Sequence, residues 1–191
     1  MSELSRIQSV IQSCSVALAG LLQVEVTVVD SSLHRIAGTG IFASRIGERI
    51  AASSAFQNAL ASGSASMVRD VRTDHICNGC TRRGECAELA NIAHPIFLNG
   101  KVLGVIGIAA FQAQARARLW REAKNLQSYL DAWSRLIENR VQELEQCRRK
   151  KQDEEPQPAC WRWPRCLLRA GRSTSFTCPR RWMFLRNSGS A

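Results

Sequence analysis

A short segment near the middle of the chain concentrates side chains that bind metals. Cys77, Cys80 and Cys86 have the spacing C-x2-C-x5-C, and His94 follows after seven residues. Three thiolates and an imidazole can fill a tetrahedral zinc site. Three closely spaced cysteines completed by a more remote ligand are also typical of iron–sulfur proteins. The spacing therefore predicts an iron–sulfur cluster on these four residues, with zinc as the alternative metal.

Each part of this ligand set has an ordinary alternative. His94 stands directly before Pro95 at a predicted strand start, where a histidine is often just a hydrogen-bonded residue. His75 and Cys14 are the substitutes for the fourth position, although Cys14 falls on the apolar face of a predicted helix, where a cysteine usually packs as a small hydrophobe. Unliganded cysteines are the alternative to any metal, but three cysteines in ten polar residues bury little apolar surface.

The same residues do not predict an enzyme. A nucleophile pair formed by Cys86 and His94 would need an orienting acid and an oxyanion site. Neither is evident at an interpretable spacing, and the sequence has no G-x4-G-K-[ST] loop for ATP hydrolysis. We therefore expect a protein without catalytic activity.

Length and composition favour one cytoplasmic domain with appendages. The chain has 191 residues, of which 45% are hydrophobic. It has no predicted export signal and no run near the roughly 20 apolar residues of a membrane span. In the reducing cytoplasm, its eight cysteines are more consistent with metal ligands or free thiols than with disulfides. We expect no membrane association.

The net charge of +10 is concentrated at the C-terminal end. Residues 1–155 carry 19 Lys and Arg against 16 Asp and Glu, whereas residues 156–191 carry seven Arg and no acidic residue. This last segment is rich in Trp and Cys and has no helical or strand period. We predict that residues 152–191 form a disordered tail, one consistent with translation out of frame, and we do not expect direct nucleic-acid binding.

Hydrophobic periodicity predicts an α+β domain over residues 1–112. A helix is expected over residues 3–22, a hairpin over 24–40, a second helix within 47–62 and a short strand from Ser66 to Val71. Two apolar runs then flank Asn99-Gly100, a dipeptide typical of tight hairpin turns. The Cys-rich loop at residues 77–86 lies between the short strand and this hairpin.

A long exit helix is predicted over residues 113–151, which contain no Pro or Gly. Its apolar residues repeat at alternating spacings of four and three, which is typical of a coiled-coil seam. Arg140 stands where the seam requires an apolar residue, and Val141 supplies one a single position later, so we expect a local shift of the seam. We expect the first half to pack on the domain's own sheet and residues 138–151 to meet a partner helix, so that residues 119–147 mediate a homodimer.

The order of these elements resembles the GAF-type (PAS-like) sensory input domain at the N-terminus of sigma-54-dependent transcriptional activators. The resemblance covers roughly residues 3–150 and rests on Cys77, Cys80, Cys86 and the hairpin motif. The hairpin residues that match are Pro95, Ile96, Gly100, Val102, Gly104, Val105, Ile106 and Gly107. The family commonly has a further cysteine where this chain has His94.

The resemblance implies a GAF/PAS-like antiparallel sheet with flanking helices and a long C-terminal signalling helix. It also implies that the ATPase and helix-turn-helix output domains of such regulators are missing from this chain, which we interpret as truncated. The leading functional hypothesis is an input domain that senses redox state or oxygen through the Cys-ligated centre. The alternative is a small-molecule-binding GAF domain with a structural zinc.

Overall fold

The computed structural model describes residues 2–154. A 3-10 turn at Leu4–Ile7 leads into helix α1 (Gln8–Leu22), followed by strands β1 (Glu25–Asp30) and β2 (Arg35–Gly38). Helix α2 (Ala55–Ser62) and strand β3 (Ser66–Val68) precede the Cys-rich loop. Strands β4 (Ala90–Leu98) and β5 (Lys101–Ala110) form the second hairpin, and helices α3 (Ala113–Arg121) and α4 (Ala123–Glu154) complete the described residues.

The five strands form one antiparallel sheet in the order β2-β1-β5-β4-β3. The β4–β5 hairpin turns at Asn99 and Gly100, whose φ angles of 50° and 78° are the positive values that this dipeptide tolerates. Strand β3 pairs only with Asn91–Ala93, so Pro95 lies beyond its end and costs no hydrogen bond on that side. The predicted hairpin is thus confirmed.

Two hydrophobic clusters cover the two faces of the sheet. One cluster packs α1, α3 and α4 on side chains such as Val26, Ile92 and Ile106. The other packs α2 and the Cys-rich loop on Val29, Ala93 and Val105. Because successive residues of a strand point to opposite faces, residues of odd and even number in β4 belong to different layers.

Close approach to the sheet requires glycine at two positions of β5. A Cβ at Gly107 would lie 2.2 Å from the ring of Phe56, which lies on α2. A Cβ at Gly104 would lie 2.2 Å from the carbonyl oxygen of Val29 on β1. These glycines let α2 and β1 pack directly on β5.

The structure places the second helix within its predicted range and corrects the exit helix at one point. Helix α2 begins only at Ala55, because Ser53 has a positive φ of 55° and the Ser54 side chain caps the helix by accepting a hydrogen bond from the Gln57 amide. The exit helix is interrupted at Glu122, so α3 and α4 are separate helices.

Helix α4 packs on its own domain further than predicted. The buried stripe consists of Leu126, Leu130, Trp133, Ile137 and Val141. Val141 replaces Arg140 in the stripe, which is the expected shift of the seam. Leu144 continues the stripe but is 37% exposed.

The predicted tail is mostly outside the described residues. Helix α4 continues to Glu154 and so includes the first residues of the range 152–191, while residues 155–191 are not described. Within the described part of the chain, no helix has the length and apolar character needed to cross a membrane.

Candidate functional site

The three cysteines of the predicted metal site lie on the wall of one cavity. Cys77 ends a 3-10 turn whose N-cap, Asp74, accepts a hydrogen bond from the Ile76 amide at 3.1 Å. Cys77 is 5% exposed, whereas Cys80 and Cys86 are half-buried. All three line a cavity of about 280 Å³ between the sheet, α2 and the loop. We call it the Cys cavity.

His94, the predicted fourth ligand, lies apart from the three cysteines in this structure. It lies on the face of β4 that packs against α4, opposite the Cys cavity. Ile92 and Ile96, which are two residues away on either side and so point the same way, belong to the hydrophobic cluster on that face. Its Nε2 lies 3.1 Å from Asp131 Oδ1 on α4. Burial lowers the pKa of His94 and Asp131 opposes this shift, so a neutral His94 would donate from Nε2 to the carboxylate.

The two substitute ligands are also placed elsewhere. Cys14 packs from α1 against the hydrophobic cluster on the α4 face. His75 is exposed and lies 3.4 Å from Asp74. Among residues 2–154, no group of three or more His, Cys, Asp or Glu side chains is positioned to hold a metal ion. In this conformation the residues present do not fit a four-ligand iron–sulfur or zinc centre.

The surroundings of the cysteines favour the protonated thiol. Burial, followed by the negative potential of Asp74 and of the other two cysteines, raises the pKa of Cys77 to about 11. Burial also raises the pKa of Cys86, with a further contribution from Glu88. Both residues are therefore neutral thiols near pH 7, and they become good ligands or nucleophiles only if a cation or a structural change stabilises the thiolate.

The Cys cavity also carries an excess of positive charge. Its lining includes five arginines and three glutamates, which are Arg35, Arg45, Arg49, Arg82, Arg83, Glu48, Glu85 and Glu88. Three phenylalanines, Phe42, Phe56 and Phe111, supply apolar wall. Basic and aromatic groups in a small concave site are typical of sites for small anionic molecules.

Arg35 lines this cavity and is only 8% exposed. One terminal nitrogen donates to Thr27 Oγ1 at 3.2 Å, and the guanidinium lies 4.6 Å from the centre of the Phe42 ring. Its Nε has no hydrogen-bond partner among the described residues. Burial lowers the pKa of Arg35, while Glu88 partly compensates by raising it.

Asn91 and Glu88 form a second buried polar group in the Cys cavity. Asn91 Nδ2 donates to Glu88 Oε2 at 2.7 Å. Asn91 is 5% exposed, and its Oδ1 has no partner among the described residues. Burial raises the pKa of Glu88, against the opposing effects of the Asn91 hydrogen bond and of Arg35 and Arg45.

Arg35, Glu88 and Asn91 were missed by the sequence analysis. Arg35 and Asn91 are isolated polar residues in otherwise buried strands. A polar residue at such a position, where it must be bonded or serve a function, was the signal available.

A second depression of about 520 Å³ lies beside α1 and β2. Its main polar groups are already bonded to each other. Gln12 both donates to and accepts from the Gly38 backbone, and Thr39 Oγ1 donates to Glu25 Oε2 at 2.6 Å. It therefore offers fewer free groups for a ligand than the Cys cavity.

Polar contacts connect β4 and its turn to one side of α4. Besides the His94–Asp131 pair, Ser134 Oγ donates to the Pro95 carbonyl at 3.3 Å. The backbone N–H of Asn99 donates to Glu138 Oε1, also at 3.3 Å. The strand that forms part of the Cys cavity is thus joined to the long helix through its middle and through the turn that follows it.

The chain has a relative whose name assigns it to a class of transcriptional regulators. No family model matches the chain. It is 31% identical over 131 residues to the Escherichia coli K12 protein named "Putative uric acid sigma-54-dependent transcriptional regulator UacR". The match covers 68% of this chain but only 22% of that protein, so the chain spans about a fifth of the relative's length.

Solved structures share the fold at low sequence identity. The type II free methionine-R-sulfoxide reductase of Thermoplasma acidophilum matches 73% of this chain and 96% of its own, with a TM-score of 0.55 and 18% identity. The GAF domain of A. aeolicus nlh2 matches 72% and 85%, with a TM-score of 0.54 and 16% identity. The Neisseria meningitidis reductase in complex with its substrate matches 73% and 80%, with a TM-score of 0.50 and 17% identity.

Two of these three neighbours are enzymes, so the fold itself does not exclude catalysis. The third is a GAF domain, and the fold described above matches it over 72% of this chain. Together with the sequence similarity to a regulator, the fold confirms the resemblance inferred from the hairpin motif. This chain is a GAF-type input domain related to a sigma-54-dependent transcriptional regulator.

Proposed function

We propose that this chain is a cytoplasmic signal-receiving domain and that its signal is a small molecule bound in the Cys cavity. The observation that carries this proposal is the presence in one cavity of two deeply buried polar residues, Arg35 and Asn91, each with an unpartnered atom. Buried polar groups are normally hydrogen-bonded, and exceptions call for an explanation such as an absent ligand. The output domains of the regulator lie outside this chain.

The charge of the cavity supports an anionic ligand. Five arginines against three glutamates leave a net positive lining. The volume of about 280 Å³ is near the lower end of the roughly 300–1,000 Å³ typical of small-molecule sites. Because the relative is named for uric acid, we propose urate, an oxidised purine that is anionic at neutral pH, as the first ligand to test.

We expect urate to bind the full chain saturably in isothermal titration calorimetry. The variant Ala51→Phe places a ring at the half-buried wall of the Cys cavity and should abolish binding. Its matched control, Ala61→Phe, adds the same ring at an exposed position of α2 and should leave the affinity unchanged. Equal binding by both variants, or no binding of urate to the parent, would contradict a urate site in this cavity.

A second candidate function is redox or oxygen sensing through a metal centre. It is supported by the position of Cys77, Cys80 and Cys86 on one cavity wall, close enough to raise the pKa of Cys77 through their mutual charge. An iron–sulfur cluster, or zinc as the alternative, would be held by these three thiolates. The described conformation provides neither a converged ligand set nor His94 as the fourth ligand.

Anaerobic purification followed by iron, sulfide and zinc analysis separates the two candidates. A cysteine-ligated centre predicts stoichiometric metal that is lost in the Cys77→Ser variant. The control, Cys147→Ser, changes an exposed cysteine on α4 and should retain the metal. A folded parent protein without metal would exclude the second candidate and leave the small-molecule proposal intact.

We also propose that α4 carries the signal and pairs with a second copy of the chain. The buried stripe of α4 continues at Leu144, which is 37% exposed. A second α4 would cover this residue, as in a coiled coil. The contacts of Asp131, Ser134 and Glu138 with β4 and its turn provide the physical connection from the cavity to this helix.

Replacing Leu144 with Asp should weaken dimerisation without unfolding the domain. Burying one leucine contributes about 1.5–3 kcal/mol, so a dimer that buries two would lose a measurable share of its stability. The contrasting variant, Leu126→Asp, places a charge in the core and should unfold the domain. Sedimentation velocity measures the first effect and circular dichroism the second. A monomeric parent, or a dimer unaffected by Leu144→Asp, would refute pairing through this end of α4.

A further inference from the structure

Among residues 2–154, two buried side-chain atoms of the Cys cavity lack a hydrogen-bond partner, one a donor and one an acceptor. The donor is Nε of Arg35 on β2, and the acceptor is Oδ1 of Asn91 on β4. Both side chains are more than nine-tenths buried, and both line the cavity. A ligand that uses both atoms must present an acceptor to Arg35 and an N–H or O–H donor to Asn91.

The neighbours of these residues fix how they can be used. Arg35 is held on one side by Thr27 and over the Phe42 ring, so its Nε edge is what remains for a ligand. The Asn91 amide group donates to Glu88, so its carbonyl oxygen is the free end. Arg35 and Asn91, which we call the two anchors, are therefore oriented by contacts within the protein and not by the ligand.

The lining also selects for shape and charge. The Phe42 and Phe111 rings lie 5.5 Å apart in an edge-to-face arrangement and provide apolar wall beside the polar anchors. The excess of arginine over glutamate favours a negative ligand. Neutral aliphatic ligands would leave both the charge and the two anchors unsatisfied.

We infer that the Cys cavity binds a planar anion with a cyclic amide, which places an oxygen on Arg35 Nε and a ring N–H on Asn91 Oδ1. This inference rests on the proposed function, in that the cavity is the ligand site. It adds the chemical class of the ligand and the two residues that set specificity. The class includes oxopyrimidines and oxopurines that carry a negative charge.

Three probes test the inference on the full chain by isothermal titration calorimetry. Orotate carries both the negative charge and the cyclic amide, benzoate carries only the charge, and uracil carries only the amide. Orotate should bind about tenfold or more tightly than either of the others, because each lacks one of the two interactions. Equal binding of benzoate and orotate by the unaltered protein would overturn the inference, and this comparison does not depend on any variant.

Two variants test which residue is responsible for the preference for orotate over benzoate and which for the preference over uracil. Asn91→Leu removes the acceptor and should abolish the advantage of orotate over benzoate. Arg35→Met removes the buried charge and should abolish the advantage of orotate over uracil. The control Arg121→Met removes the same charge from an exposed position on α3, outside the cavity lining, and should preserve both advantages. Preferences that survive in folded Asn91→Leu and Arg35→Met proteins would overturn the assignment.

The results also separate this inference from the proposed function. If neither urate nor any of the three probes binds, the cavity is not a ligand site and both fail. If urate binds and is blocked by Ala51→Phe, but orotate shows no preference over benzoate and uracil, the cavity remains a ligand site and only the recognition of charge and ring N–H inferred here fails.

Discussion

The alternation of side chains along β4 is the constraint on which the other features of this domain depend. Asn91 and Ala93 point to the layer that contains α2 and the Cys cavity, whereas Ile92, His94 and Ile96 point to the layer that contains α4. Because the side-chain period of a strand is two, a shift of one residue in the register with β5 would exchange these sets. The same strand therefore forms the wall of the cavity and the surface on which the long helix packs.

The position of β4 between β5 and β3 makes this arrangement stiff. Its pairing with β5 extends from Ala90 to Leu98, and glycines in β5 allow close packing from both directions. A movement of β4 at the cavity is thus accompanied by a movement at His94, Pro95 or the Asn99 turn. These are the positions at which Asp131, Ser134 and Glu138 of α4 make their polar contacts. Transmission from the cavity to the helix requires only a small displacement of one shared strand.

The sequence predicted the elements whose signal is local. The Asn99-Gly100 hairpin, helix α1 and the buried stripe of α4 follow from turn chemistry and hydrophobic period, and the Cys-rich loop lies where it was expected. The role of His94 was not predictable in the same way. Strand β4 is buried on both faces, so the pattern of its apolar residues does not show whether the odd-numbered or the even-numbered side chains face the loop. Arg35 and Asn91 were missed because the cavity that they line is formed by segments distant in sequence.

Hydrogen–deuterium exchange of the full chain with and without urate tests most directly whether the Cys cavity and α4 are coupled through β4. The account predicts slower exchange in segments 77–91, which border the cavity, together with a change in residues 131–141 of α4 on the opposite face of the sheet. Protection of the cavity segments with no change in α4 would contradict the proposed coupling.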